Sequence, residues 1–179
     1  RINYGSTSAA WTGLPSTMAD TFASRHTGYL KVDTAGKLWT FRENSEGCNG
    51  LMFDPRGRLL AACGANGGKR ALCVVTPDGR LEPLVERYQG RRFNSPNDLV
   101  IAADGTVYFS DPRYVGDEPL ELDHQSVYRY QPESGKLERL ESGVTKPNGV
   151  MLSPDGRTLY VAETDNGTLD VSQPPPPGT

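Results

Sequence analysis

Asn49, Asn97 and Asn148 each stand directly before a short apolar run, in "NGLMFDPRGRLLAACG", "NDLVIAADGTVYFSDP" and "NGVMLSPDGRTLYVAET". An asparagine carboxamide oxygen is a hard, neutral donor of the kind that Ca²⁺ collects in shells of six to eight oxygens. Two such amides on neighbouring elements, Asn97 and Asn148, can converge on one divalent ion. The same residues also suit a purely conformational role, because Asn tolerates left-handed backbone and hydrogen-bonds its own chain at turns.

Other side chains offer less. Arg92 can steady a polar substrate or a developing oxyanion, or form a surface salt bridge. Asp98 reads as a carboxylate that fixes its loop through backbone N–H groups, Asp111 as a turn former, and His124 in "ELDHQSVY" as a structural histidine before a strand. There is no Gly-x-Ser-x-Gly elbow, which leaves a serine hydrolase unsupported. Cys48, Cys63 and Cys73 have no CxxC spacing, so neither a disulfide framework nor a zinc site is indicated, and they are expected to be small buried residues.

The elements that must position the asparagines repeat. A turn glycine follows each of the three Asn by eight residues, at Gly57, Gly105 and Gly156, and the starts are 48 and 51 residues apart. Between them lie "ALCVVTPDGRLEPLVE" and "SVYRYQPESGKLERLES", each two alternating runs around a Gly-containing turn and hence a hairpin. Four short strands in roughly 40 to 50 residues is the arithmetic of a β-propeller blade. In that architecture the first strand of each blade lines the channel, which places the three asparagines equivalently around one mouth. The fold class is therefore all-β: a half blade over 28–43, where "GYLKVDTAGKLWTFRE" is an outer hairpin alone, blades over 49–88 and 97–142, and half a blade over 148–163. Closed propellers have typically four to eight blades. About three leave an open strand edge at each end, so the chain is expected to need the remainder of a propeller or a companion chain.

"RRFNSPNDLVIAADGTVYFSDPRY" followed by "KPNGVMLSPDGRTLYVAETDNGT" resembles the gluconolactonase branch of the SMP-30/gluconolactonase/luciferin-regenerating-enzyme family, over roughly residues 28–173. The resemblance implies a partial six-bladed propeller with one divalent metal, often calcium, in its channel, and hydrolysis of sugar lactones or related esters. It also implies roles by position: Asn97 and Asn148 match the family's two metal-binding asparagines. Two carboxylate ligands have no counterpart here. No E-G-P-x-W stretch occurs, Glu46-Gly47 is out of register with Gly57, and Pro77-Asp78-Gly79 and Pro154-Asp155-Gly156 fall in hairpin turns. The family's fifth-blade Asp, expected to be the base, is thus absent from this chain, and weak or no metal binding is expected from the chain alone. Asn49, in the same register, would face a substrate's hydroxyls or form a plain strand-entry turn, and Arg92 would be the second substrate-binding candidate, steadying a polar group or a developing oxyanion. The alternatives are a propeller that only binds, and a related propeller esterase or phosphoesterase.

Composition agrees with a turn-dense β protein: 179 residues carry 20 Gly and 14 Pro, with a net charge of −3. Scattered Lys and Arg give no case for nucleic acid, and no apolar run is long enough to span a membrane. A small molecule is the expected ligand. Residues 1–27 read as irregular surface chain and residues 174–179 as a Pro-rich loop or linker. Asn166-Gly167-Thr168 is a glycosylation sequon that matters only for a secreted protein. Nothing selects between cytoplasm and secretion.

Overall fold

The computed structural model describes residues 21–25, 28–32, 35–140 and 143–165. β1 (Thr21–Arg25), β2 (Gly28–Val32) and β3 (Leu38–Arg42) make an antiparallel sheet in that order. β4 (Cys48–Phe53), β5 (Leu59–Cys63), β6 (Ala71–Val75) and β7 (Leu81–Val85) form the next sheet, again in chain order. The short β8 (Arg87–Tyr88) and β9 (Arg91–Arg92) pair with each other. A second four-stranded sheet follows in β10 (Leu99–Ile101), β11 (Val107–Asp111), β12 (Ser126–Gln131) and β13 (Lys136–Leu140), and then a pair, β14 (Pro147–Leu152) with β15 (Leu159–Glu163). β10 packs against β4 on one side and β14 on the other. The first strands of successive sheets thus stand side by side, and the sheets are the blades of a partial β-propeller.

The repeat has a physical basis in one turn used three times. The amides of Gly57, Gly105 and Gly156 donate to the carbonyls of Asp54, Ala102 and Ser153 at 2.9, 2.9 and 2.8 Å. Their φ values of 77°, 85° and 69° are left-handed, where glycine carries no Cβ penalty. The turns at Gly57 and Gly105 give equal strand registers, with Leu59 opposite Phe53 and Val107 opposite Ile101, whereas the loop at Gly156 is one residue longer and sets Leu159 opposite Leu152.

Alternation along β5 explains why all five of its residues are buried. Leu60 and Ala62 enter a core shared with Leu99, Ile101, Val107 and Phe109 of the following blade, whereas Leu59, Ala61 and Cys63 enter a second core with Tyr29 and Cys73. A strand with a blade on either face reads as a continuous apolar run. Phe93, Phe109 and Tyr128 centre the first core at 5.2 to 5.3 Å between rings.

Three expectations change. Thr21–Arg25, inside the stretch read as irregular over 1–27, is β1 and pairs with β2 from Thr21↔Val32 to Arg25↔Gly28; the run "TFASR" has no turn glycine to announce it. Arg87 and Tyr88, assigned to the blade over 49–88, leave it to pair with Arg92 and Arg91. Cys48 and Cys63 are joined in a disulfide, and only Cys73 is free. The reason is register: Cys48 and Cys63 face each other directly across β4 and β5, which no CxxC spacing would show. The tail at 174–179, the sequon at Asn166 and residues 141–142 lie outside the described residues.

Candidate metal-binding mouth of the channel

Each inner strand is entered through a loop that the end of the neighbouring strand holds down. In the β10 blade, Asp111 closes β11, is fully buried, and its two carboxylate oxygens accept the amides of Asn94 and Ser95 at 2.9 and 2.7 Å. In the β14 blade, Glu163 closes β15, and its carboxylate accepts the amides of Thr145 and Lys146 at 2.9 and 2.8 Å. The disulfide Cys48–Cys63 occupies the same place in the β4 blade. The clasped residues lie one to three positions before Asn49, Asn97 and Asn148, so two chemistries, a disulfide and carboxylate-to-amide bonds, fix the same loop in three blades. Burial pushes the Asp111 carboxyl up to about 7, against the pull of the Asn94 and Ser95 amides. Burial likewise pushes the Cys73 thiol up to about 12, which makes it an inert packing group.

The asparagines are stitched to one another across the blade seams. The carbonyl of Asn97 accepts the amide of Gly50, next to Asn49, at 2.8 Å. The amide of Asn97 donates to the Ser110 carbonyl at 3.0 Å, and the Ser110 hydroxyl donates to the Asn148 carbonyl at 2.5 Å. Asp98 reaches across the same seam: its Oδ2 accepts the amide of Val150 at 2.9 Å. Burial raises its pKa above the ordinary carboxylate range, opposed by the Val150 and Leu99 amides. The loop-fixing role expected of Asp98 therefore extends to the next blade. On the other seam, the approach of β4 to the Asn97 loop depends on Gly50, where a Cβ would come within 2.9 Å of the Asp98 Cα.

Asn97 and Asn148 differ in what remains open on them. Asn97 Oδ1 is buried and has no hydrogen-bond partner. Such an acceptor is costly to bury unless a donor or a cation meets it, and a bound cation or a substrate donor answers that need. Asn148 gives its Nδ2 to the Tyr114 hydroxyl at 3.1 Å. Two amide oxygens suit a hard divalent cation in kind but bring no charge. Among the described residues no three His, Cys, Asp or Glu side chains gather to hold a metal.

Asn49 is exposed at the start of β4, beside the Gly50 amide that ties it to Asn97. Among the described residues Arg92 forms neither the surface salt bridge nor a hydrogen bond to the asparagines. Its Nη2 donates to the Lys69 carbonyl at 2.6 Å, its backbone amide to Glu121, and its Nε is buried without a partner. His124 is structural, held between Asp123 and the Tyr128 hydroxyl at 2.7 and 2.8 Å. Ser110, Tyr114 and Thr164 carry much of the positioning and were not singled out by the sequence. The signal for Ser110 was its place in the repeat, where the other inner hairpins have Ala62 and Ala162.

Comparison with known proteins shows the family. Residues 31–174 match the model of the SMP-30/Gluconolactonase/LRE-like region. A gluconolactonase of Zymomonas mobilis is 38% identical over 150 residues, covering 80% of this chain and 40% of that protein. Lactonohydrolase oryL of Aspergillus oryzae is 29% identical over 96 residues, 50% of this chain and 22% of the relative. The structure of a gluconolactonase from Xanthomonas campestris superposes with a TM-score of 0.74 at 34% identity, covering 81% of this chain and 50% of that one. The chain spans half or less of the length of these relatives. With the repeated turn, the side-by-side inner strands and the matched residues all in agreement, the chain belongs to the SMP-30/gluconolactonase/LRE-like family.

Proposed function

We propose that this chain is part of a hydrolase of sugar lactones in which Asn97 and Asn148 help to hold a divalent cation, calcium by the chemistry of its donors. The observation that carries the reading is the buried, unpartnered Oδ1 of Asn97 on a loop stitched through Ser110 to Asn148. The gluconolactonase and lactonohydrolase names of the relatives support the substrate class. A divalent ion bound there supplies Lewis acidity toward an ester carbonyl. The protein's own part is positional: Ser110 and Asp98 fix the two asparagine loops across the seam, and the entry clasps keep them from relaxing. Asn49, exposed at the same mouth, contacts the hydroxyls of the sugar, and the Arg92 Nε is available to a polar group.

The charge that two neutral amides lack comes from carboxylates outside this chain, in the remainder of the propeller or a companion chain. The cross-strand pair Met151 and Tyr160, 47% and 61% exposed, presents the apolar face that such a blade covers. Among the described residues no helix is long and apolar enough to cross a membrane. The test is release of acid from a sugar δ-lactone by the complete gene product, with and without a chelator. Hydrolysis that stops on chelation and resumes with calcium is the expected result. Hydrolysis indifferent to chelation removes the metal, and no hydrolysis of lactones or esters leaves a propeller that only binds.

A further inference from the structure

Asn148 is the first member of a directed chain of hydrogen bonds that runs away from the channel mouth. Its Nδ2 meets the Tyr114 hydroxyl at 3.1 Å, Tyr114 Oη meets Thr164 Oγ1, and Thr164 Oγ1 meets the main-chain carbonyl of Lys146 at 3.4 Å. The direction follows from the last link. A carbonyl only accepts, so Thr164 donates to it; Thr164 then accepts from Tyr114, which leaves the Tyr114 oxygen as an acceptor for the Asn148 NH₂. The Lys146 carbonyl is itself held by the Thr164 amide at 3.2 Å, and the Lys146 ammonium lies 5.4 Å from the centre of the Tyr114 ring, a cation over the aromatic face. Ser110 fixes the Asn148 backbone separately.

We propose that Tyr114 and Thr164 are positioning residues that set the orientation of the Asn148 carboxamide. Their chain holds one of the amide's hydrogens on the Tyr114 oxygen, which fixes Nδ2 on that side and leaves Oδ1, an acceptor with no hydrogens, for a cation or a substrate hydroxyl. A terminal amide has nearly equal shape in its two orientations, and only its partners distinguish them. Without the chain the NH₂ is as free to face the site, where it repels a cation. This deepens the lactonase reading and rests on it for its consequence, but the orientation itself does not depend on catalysis.

Tyr114→Phe deletes the acceptor and keeps the ring. Thr164→Val keeps the shape and deletes the donor that fixes direction, allowing Tyr114 to turn its proton toward Asn148 Oδ1; Thr164→Ser restores the hydroxyl. In the complete gene product labelled with ¹⁵N-asparagine, the Asn148 side-chain NH₂ signal is identified by its loss in Asn148→Asp. Tyr114→Phe and Thr164→Val are expected to move that signal and speed its exchange with solvent, with Thr164→Ser close to wild type. Calcium affinity is expected to fall about 10- to 100-fold in the first two, as for the loss of other groups that orient a metal ligand, at unchanged fold. An Asn148 signal identical in wild type, Tyr114→Phe and Thr164→Val overturns the proposal. Absence of lactone hydrolysis in the wild type strikes the function and not the orientation, because the NH₂ signal is read without metal or substrate.

Discussion

Ser110 donates its hydroxyl to the main-chain carbonyl of Asn148 at 2.5 Å, across the seam between two blades. The same oxygen accepts the amide of Asp98 at 3.2 Å, and the side chain is fully buried. Ser110→Ala leaves a carbonyl and an amide unsatisfied at that seam, a loss of about 1–3 kcal/mol. Denaturant unfolding checks it: the midpoint falls with the slope unchanged. Ala62, its counterpart in the β4 blade, shows that a methyl fits the position sterically, so a cost near zero would mean that the hydroxyl is not what joins the blades.

The Cys48–Cys63 disulfide closes a segment with a sequence separation of 15, for which the chain-entropy estimate is about 3 kcal/mol. Cys48→Ser with Cys63→Ser is expected to lower stability by about that amount. Thiol titration of the chain unfolded without reductant should find Cys73 alone, and all three cysteines after reduction. Three thiols before reduction would show the pair open.

How much of this was legible beforehand depends on the range of the interaction. The Asn-to-Gly step is local, a property of one hairpin, and so the repeat, the blades and the asparagine register are visible in the residues themselves. The clasps are not. Cys63, Asp111 and Glu163 do one job at one place through a disulfide or through carboxylate-to-amide bonds, and no residue type is shared. Tyr114 lies 34 positions from Asn148 and 50 from Thr164, in a loop whose path only the packed blades determine. Resemblance to the family singles out Asn97 and Asn148 as candidate ligands but carries no sign of what orients them.

Asp111 makes stability depend on pH. Its ordinary value is about 4, and burial raises it to about 7 in the folded chain. A carboxyl raised on folding contributes stability that is whole below the unfolded value and is lost as pH rises through the folded one. Wild-type stability should therefore decline from about pH 4 to about pH 7 through this group. Asp111→Asn should remove that slope. The variant should also be less stable at every pH, by about 1–3 kcal/mol, since its NH₂ opposes one of the two loop amides. Melts at several pH values that show the same slope in both proteins would assign the dependence elsewhere.

Residues 1–179 expressed alone should associate or precipitate, because Met151 and Tyr160 stand exposed on the β14–β15 face and β15 pairs among the described residues only with β14. An open apolar sheet edge recruits further strands. Sedimentation gives the answer directly, and a monodisperse monomer that unfolds cooperatively would show that the chain covers this face by itself.

The central claim is that Asn97 and Asn148 are ligands and not turn caps. Removing a cap costs about 1 kcal/mol of stability and leaves function in place, whereas removing a ligand abolishes function in a folded protein. The deciding measurement is acid release from a sugar δ-lactone by the complete gene product, for wild type, Asn97→Ala, Asn148→Ala and Asp98→Asn, at several calcium concentrations. The account predicts no hydrolysis by either alanine variant at low calcium, partial recovery when calcium is raised, and a milder effect for Asp98→Asn. Wild-type rates in both alanine variants would contradict it.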